Sequence, residues 1–224
     1  MTPSTSPREV RLILVRHALP HRVSAGSSAA DPELTELGHQ QAHRVADAVA
    51  REGVTAVYTS PQLRARQTAA PLAQLLGVAP TVAAGLAEFD SNDASYVPVH
   101  EMAEASPALW QRLRAGQLPA HVDAPAFGAR VSEAFAAISR AHPGARTVAC
   151  FAHAGTINVY LAGVLGMDRP LAFPLDYTGI TRVSVSRGGR RVARTVNEIA
   201  HVADLLDPAT TPAPPGGPRP GRPP

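Results

Sequence analysis

Short apolar runs that alternate with helix-like segments constrain this chain more than any other feature. Residues 10–15, 54–58 and 146–151 are near-continuous apolar runs of strand length. Runs that are apolar on both sides of the pleat suit strands covered by helices on both faces. Helical patterns lie between them. Residues 36–51 read as a helix with Thr35 as its N-cap. Ser60-Pro61 places a capping hydroxyl and a first-turn proline at the start of a second helix, which runs to about residue 76, where Gly77 closes it. A third spans about residues 155–165. Residues 81–84 read as a short strand, and residues 180–186 and 191–198 as a late strand pair. Repeated strand–helix units predict an α/β fold: a three-layer sandwich with a mostly parallel central sheet flanked by helices.

At 224 residues the chain is long enough for one well-buried domain. We expect a flexible N-terminus over residues 1–9, a domain over 10–206, and a Pro/Gly-rich disordered tail over 207–224. Within the domain, about residues 90–128 are less regular and read as an insertion, a lid over the active site. The formal net charge is +3, and every basic residue is arginine. The one basic cluster, Arg187, Arg190, Arg191 and Arg194 around Gly188-Gly189, reads as a solvated hairpin turn, so no nucleic-acid partner is expected. A single cysteine, Cys150, excludes an internal disulfide framework and sits in an apolar run as a small core residue. Residues 1–9 hold no apolar signal region, and no stretch approaches the roughly 20 apolar residues that span a bilayer. A cytoplasmic protein with no membrane contact is the expectation.

Ligands in such folds bind beyond the carboxyl ends of the parallel strands. Arg16-His17 follows the first run. Ser60-Pro61 follows the second, with Arg64 one turn into the helix. His153 follows the third, with Ala154 next to it. Two arginines and two histidines thus converge. Arginine forks suit a phosphate dianion, and the N-terminus of the last helix turns free N–H groups toward the same anion. A neutral histidine is a competent nucleophile near neutral pH. Glu88, Asp90 and Asp93 form a short acidic loop. His39 and His43 lie four apart on one helix face, yet Gln40 stands where a zinc hydrolase would carry glutamate, so no metal is expected.

Four blocks add a resemblance. Leu14-Val15-Arg16-His17-Ala18, the segment Leu34-Thr35-Glu36-Leu37-Gly38, the segment Tyr58-Thr59-Ser60-Pro61-Gln62-Leu63-Arg64 and Phe151-Ala152-His153-Ala154-Gly155-Thr156 occur in order. Together they resemble the histidine phosphatase superfamily, the phosphoglycerate-mutase-like proteins. The resemblance implies a phosphoglycerate-mutase-like fold and a metal-independent phosphomonoester hydrolase that needs no cofactor. A small phosphorylated metabolite would be its substrate, and a homodimer is one arrangement it admits. His17 would be the residue phosphorylated. Arg16, Arg64 and His153 would hold the phosphoryl group, with Ala154 beside them. Glu88, in its Leu-x-Glu context, would be the acid, with Asp90 its competitor. His17 should be neutral and His153 charged, so that the two titrate apart.

Two positions depart from the family pattern. Ala18 replaces a usual glycine, and Val23 replaces a usual phosphate-binding asparagine, leaving His21, Arg22 or Ser24 as substitutes. Substrate choice would lie in the segment from about residue 89 to 128, which holds Tyr96, His100, Trp110, Arg112, Arg114 and His121. The alternatives are a phosphoglycerate-type mutase and a non-catalytic phosphoester-binding domain. The mutases' extended pattern around the acid is missing here, where Glu88-Phe89-Asp90-Ser91 stands, and the chain has no lysine.

Overall fold

The computed structural model describes residues 9–206. The expected N-terminal segment and tail lie outside these residues, Glu9 excepted. In chain order the elements are β1 (Val10–Arg16), α1 (Glu36–Ala50), β2 (Val54–Thr59), α2 (Leu63–Leu76), β3 (Thr81–Val82), α3 (Met102–Ala105), α4 (Pro107–Arg114), α5 (Ala124–Ala141), β4 (Thr147–Ala152), α6 (Ala154–Leu165), β5 (Ile180–Val185) and β6 (Arg191–Glu198). The strands form one six-stranded sheet in the order β3-β2-β4-β1-β5-β6. The first four in that order are parallel; β5 runs antiparallel to β1, and β6 to β5.

Side-chain alternation along the strands builds the layers. Leu12 and Leu14 of β1, with Val148 and Cys150 of β4, pack on one face against Phe135 of α5 and Ile157 of α6. Ile13, Val15, Ala149 and Phe151 pack on the other face against Val45 of α1 and Leu72 of α2. Every residue of β4 is buried, as its apolar run requires of a strand covered on both sides. Cys150 lies in that core, where burial pushes its thiol pKa up, so it carries no thiolate chemistry.

Thr35 caps α1 as expected, its hydroxyl accepting from the Gly38 N–H, and Gly77 ends α2 in the left-handed conformation at φ 64°. The start of α2 differs. The helix begins at Leu63 with Gln62 as N-cap, not at Ser60-Pro61. The Ser60 hydroxyl instead meets His153 Nε2 at 2.7 Å and accepts from the Gln62 N–H. The eighteen-residue α5 is also an addition to the sequence reading. Its signals are plain in retrospect: Asp123 caps it, and Phe127, Val131, Phe135 and Ile138 recur on its buried face.

Helix α1 reaches the site through its first turn. The Thr35 N–H and hydroxyl both donate to the Leu19 carbonyl, two residues beyond His17. Gly38 makes room for that approach, since a Cβ there would lie 2.1 Å from the Leu19 carbonyl oxygen. Gly38→Ala should therefore destabilise the fold by about 1–3 kcal/mol, read as a lower denaturant midpoint. Gly163→Ala, at an exposed helical position with open space for a Cβ, is the control and should be neutral or stabilising. Equal stability of the two variants would show that the close approach is not real.

Candidate active site

Three parallel strands end side by side. Arg16 pairs in register with Ala152, and Thr59 with Phe151. Beyond these ends the His17 N–H donates to the Ala152 carbonyl and the Ser60 N–H to the Phe151 carbonyl. His17, Ser60 and His153 are thereby placed in one row by sheet hydrogen bonds alone. Arg64 joins them from the second residue of α2, and Glu88 from the loop after β3. Arg16, His17, Arg64, Glu88 and Ala154 all line one cavity of about 250 Å³. His153 is buried next to it, its ring centroid 5.1 Å from that of His17.

His17 has a defined tautomer. Its Nδ1 lies 2.8 Å from the Ala18 carbonyl oxygen, which can only accept. The ring proton therefore sits on Nδ1, and Nε2 keeps its lone pair. Burial, then the charges of Arg64 and Arg16, holds the His17 pKa well below its ordinary value, so the ring is neutral. The turn that carries it is anchored to α2: the Ala18 N–H donates to Thr68 Oγ1, which donates to the Arg64 carbonyl. Ala18 is fully buried and is not among the residues at positive φ, so alanine fits there without backbone strain.

Both arginines are buried, and each keeps N–H groups that bond to nothing among the described residues. Arg16 Nη1 donates to the Leu175 carbonyl at 2.5 Å, while its Nε has no partner. Arg64 Nη2 donates to both oxygens of Asp90 at 2.7 and 2.9 Å, while its Nε and Nη1 have none. Tyrosine rings cover the guanidinium faces: Tyr177 at 3.9 Å from Arg16 Cζ, and Tyr96 at 4.6 Å from Arg64 Cζ. What remains is a set of in-plane donors beside an imidazole lone pair, an arrangement suited to an oxyanion.

Glu88 is fully buried and rests on the start of α6. Its Oε2 accepts from the Gly155 N–H at 2.7 Å, and its Oε1 from the Phe89 N–H at 3.1 Å. Burial, and then the neighbouring Asp90 charge, raises its pKa to about 7 against the two N–H bonds and Arg64. Asp90 is differently placed. It is spoken for by Arg64 and by Gln62 Nε2, which donates to it at 2.8 Å. Glu88, with its pKa raised to about 7, can be protonated near neutral pH and give that proton up. Gly155 is needed at this contact, because a Cβ would stand 2.5 Å from Glu88 Oε1.

His153 differs from its expectation in charge. Its Nε2 faces Ser60 Oγ at 2.7 Å and its Nδ1 has no protein partner. Burial, then Arg64, His17 and Arg16, lowers its pKa well below the ordinary value. The protein thus shifts both histidines the same way and does not drive them apart; a bound dianion would be needed to favour a charged His153.

Sequence reasoning missed part of the site. Tyr177 arrives on the connection into the antiparallel β5, far from the four blocks. That connection is clasped by Asn197, whose amide accepts from the Asp176 N–H and donates to Asp176 Oδ2 at 2.7 Å. Thr178 follows at φ 56°, a strained conformation for a β-branched residue, with its N–H on the Arg16 carbonyl. Val23 pairs backbone to backbone with Tyr96, fixing the ring over Arg64, and none of His21, Arg22 and Ser24 lines the cavity. Arg22 is paired with Glu101. His39 and His43 are exposed on α1, away from this cavity.

Comparison with known proteins agrees with this geometry. A family model described as histidine phosphatase superfamily (branch 1) matches residues 12–198. A putative phosphoserine phosphatase 2 of Hydrogenobacter thermophilus is 27% identical over 203 residues, covering 87% of this chain and 98% of that one. A PE-PGRS family protein of Mycobacterium tuberculosis is 53% identical over 58 residues, which is 25% of this chain and only 10% of that protein's length. Among solved structures, a mycobacterial glucosyl-3-phosphoglycerate phosphatase has the same fold, with TM-score 0.70 and 24% identity over 85% of this chain and 99% of that one. On a family match that spans most of its length, this chain belongs to the histidine phosphatase superfamily (branch 1).

Proposed function

We propose that this protein is a cytoplasmic phosphomonoester hydrolase that works through a phosphohistidine on His17. One observation carries the reading: buried guanidinium N–H groups without protein partners surround an imidazole whose Nδ1–H is committed to the Ala18 carbonyl. Each unpaired buried donor costs about 1–3 kcal/mol, and phosphoryl oxygens would satisfy them.

The chemistry then follows in two balanced steps. His17 Nε2 attacks phosphorus as the ester P–O bond breaks, and the Glu88 carboxyl gives its proton to the departing alkoxide. Arg16 and Arg64 offset the charge on the equatorial phosphoryl oxygens. Ala154, first residue of α6, adds an N–H that has no intrahelical partner. The Glu88 carboxylate then takes a proton from water as the water oxygen attacks phosphorus. The P–Nε2 bond breaks, inorganic phosphate forms, and His17 and Glu88 return to their starting states. Ser60 and His153 back the nucleophile, the Ser60 hydroxyl and His153 Nε2 sharing a hydrogen bond of 2.7 Å. The names of the relatives, phosphatases of phosphoserine and of a glucosylated phosphoglycerate, agree with a small phosphorylated metabolite as substrate.

The test is turnover of small phosphomonoesters by the wild type and its loss in His17→Ala. Glu88→Gln separates the acid from a structural role. It should lower kcat for alkyl phosphates by about 10²–10⁴-fold. For p-nitrophenyl phosphate, whose leaving group needs no proton, the loss should be far smaller. Equal losses on both esters would remove Glu88 from the acid's place.

The pH dependence follows from the same carboxyl. Its pKa is raised to about 7 in the fold, so the protonated form needed for the first step is lost as pH rises through 7. The alkyl-phosphate rate should fall about tenfold per pH unit above that point. His17 is held below its ordinary value, so no matching loss is expected from it between pH 6 and 7. Asp90→Asn removes a charge that raises Glu88, and the high-pH limb should then move to lower pH. A limb that stays in place would contradict this coupling.

A further inference from the structure

Beyond the reacting centre the cavity changes character. Met102 of α3, with Leu109, Trp110 and Leu113 of α4, line it. None of these four belongs to a hydrophobic core cluster, and α4 has no buried residue. Their apolar faces therefore do not serve the packing of the domain. They form one wall of the same cavity that holds His17, Arg16 and Arg64, and Leu171 and Phe173 are also part of its lining.

The polar side chains of that outer part are those of Asp93, Ser95, Ser106, Arg114, His121 and Asn158. Asn158 uses its whole amide on the Ala154 and Phe173 backbone. Arg114 and Asp93 both line the cavity, and among the described residues neither side chain is hydrogen-bonded or ion-paired. One positive and one negative side chain leave that part of the lining without a net formal charge. Along the apolar wall itself, a leaving group rich in hydroxyls would lose water without gaining partners.

We propose that the esters preferred by this site are phosphomonoesters of apolar alcohols, alkyl or aryl, whose carbon body lies along the wall formed by Met102, Leu109, Trp110 and Leu113. This inference rests on the hydrolase reading above and departs from the polar substrates named for its relatives. Burying roughly 100 Å² of carbon surface at about 25 cal/mol per Å² corresponds to a preference on the order of 50-fold in kcat/KM.

The experiment compares primary esters whose leaving alcohols are of similar acidity: ethyl, butyl and octyl phosphate, with phosphoserine and 3-phosphoglycerate alongside. The kcat/KM values should climb along the alkyl series, and octyl phosphate should exceed both polar esters by at least tenfold. Trp110→Ala with Leu113→Ala should cut the octyl-to-ethyl ratio about tenfold, a ratio that does not depend on how much of the variant is folded. A flat alkyl series, a preference for the polar esters, or a ratio unchanged in the variant would overturn the assignment while leaving the hydrolase intact. Absence of turnover on every ester, in a wild-type protein that folds, would instead overturn the hydrolase reading and this inference with it.

Discussion

Two guanidinium groups buried side by side, with only one carboxylate between them, set the terms for the rest of this structure. Burying such charges is costly unless they are paired, and Arg16 has no acidic partner at all among the described residues. The protein meets part of that cost with neutral groups: the Leu175 carbonyl, and the ring faces of Tyr177 and Tyr96. Holding those groups in place explains features that otherwise look like expense without return. Thr178 adopts a left-handed conformation, and Asn197, itself at φ 54°, clasps Asp176 with its amide. Burial, joined by the residual positive potential, keeps both neighbouring histidines neutral. A site left electrostatically short of one anion is a site prepared for one.

The acidic loop shows how neighbouring carboxylates come to differ. Asp90 gives its oxygens to Arg64 and Gln62 and serves as the structural counterion. Glu88, two residues earlier, is buried on the N-terminus of α6 and is pushed toward neutrality partly by Asp90 itself. Gln62 ties the two together: its Nε2 donates to Asp90 while its Oε1 accepts from the Glu88 N–H at 2.7 Å. The division of labour follows from environment, since the side chains differ by a single methylene.

Much of this was legible in the sequence, and for physical reasons. The runs at β1, β2 and β4 are apolar on both faces, which only a covered sheet can accommodate, and parallel strands put their following residues at one end. That logic puts Arg16, His17, Arg64 and His153 at one end of the sheet, where the structure has them. It did not locate Tyr177, because an antiparallel connection brings it to the site and no local pattern marks that crossing. Nor did it separate Glu88 from Asp90, because their difference lies in burial and partners rather than in spacing. From its place before proline, Ser60 reads as a helix cap. The structure uses its hydroxyl on His153 instead, a long-range contact that outweighs the local preference. Val23, a departure from the family pattern, turns out to hold Tyr96 by its backbone, so its side chain was never the informative part.

The central claim is that phosphorus passes through a covalent bond to His17 Nε2. Rapid alkaline quenching during turnover, followed by mass spectrometry of the peptide that holds Arg16 and His17, tests it most directly. The expected result is phosphate on His17, stable in base and labile in acid, formed within the first turnover and approaching one per chain. Steady hydrolysis with no phosphate on His17, or with the label on another residue, would contradict it.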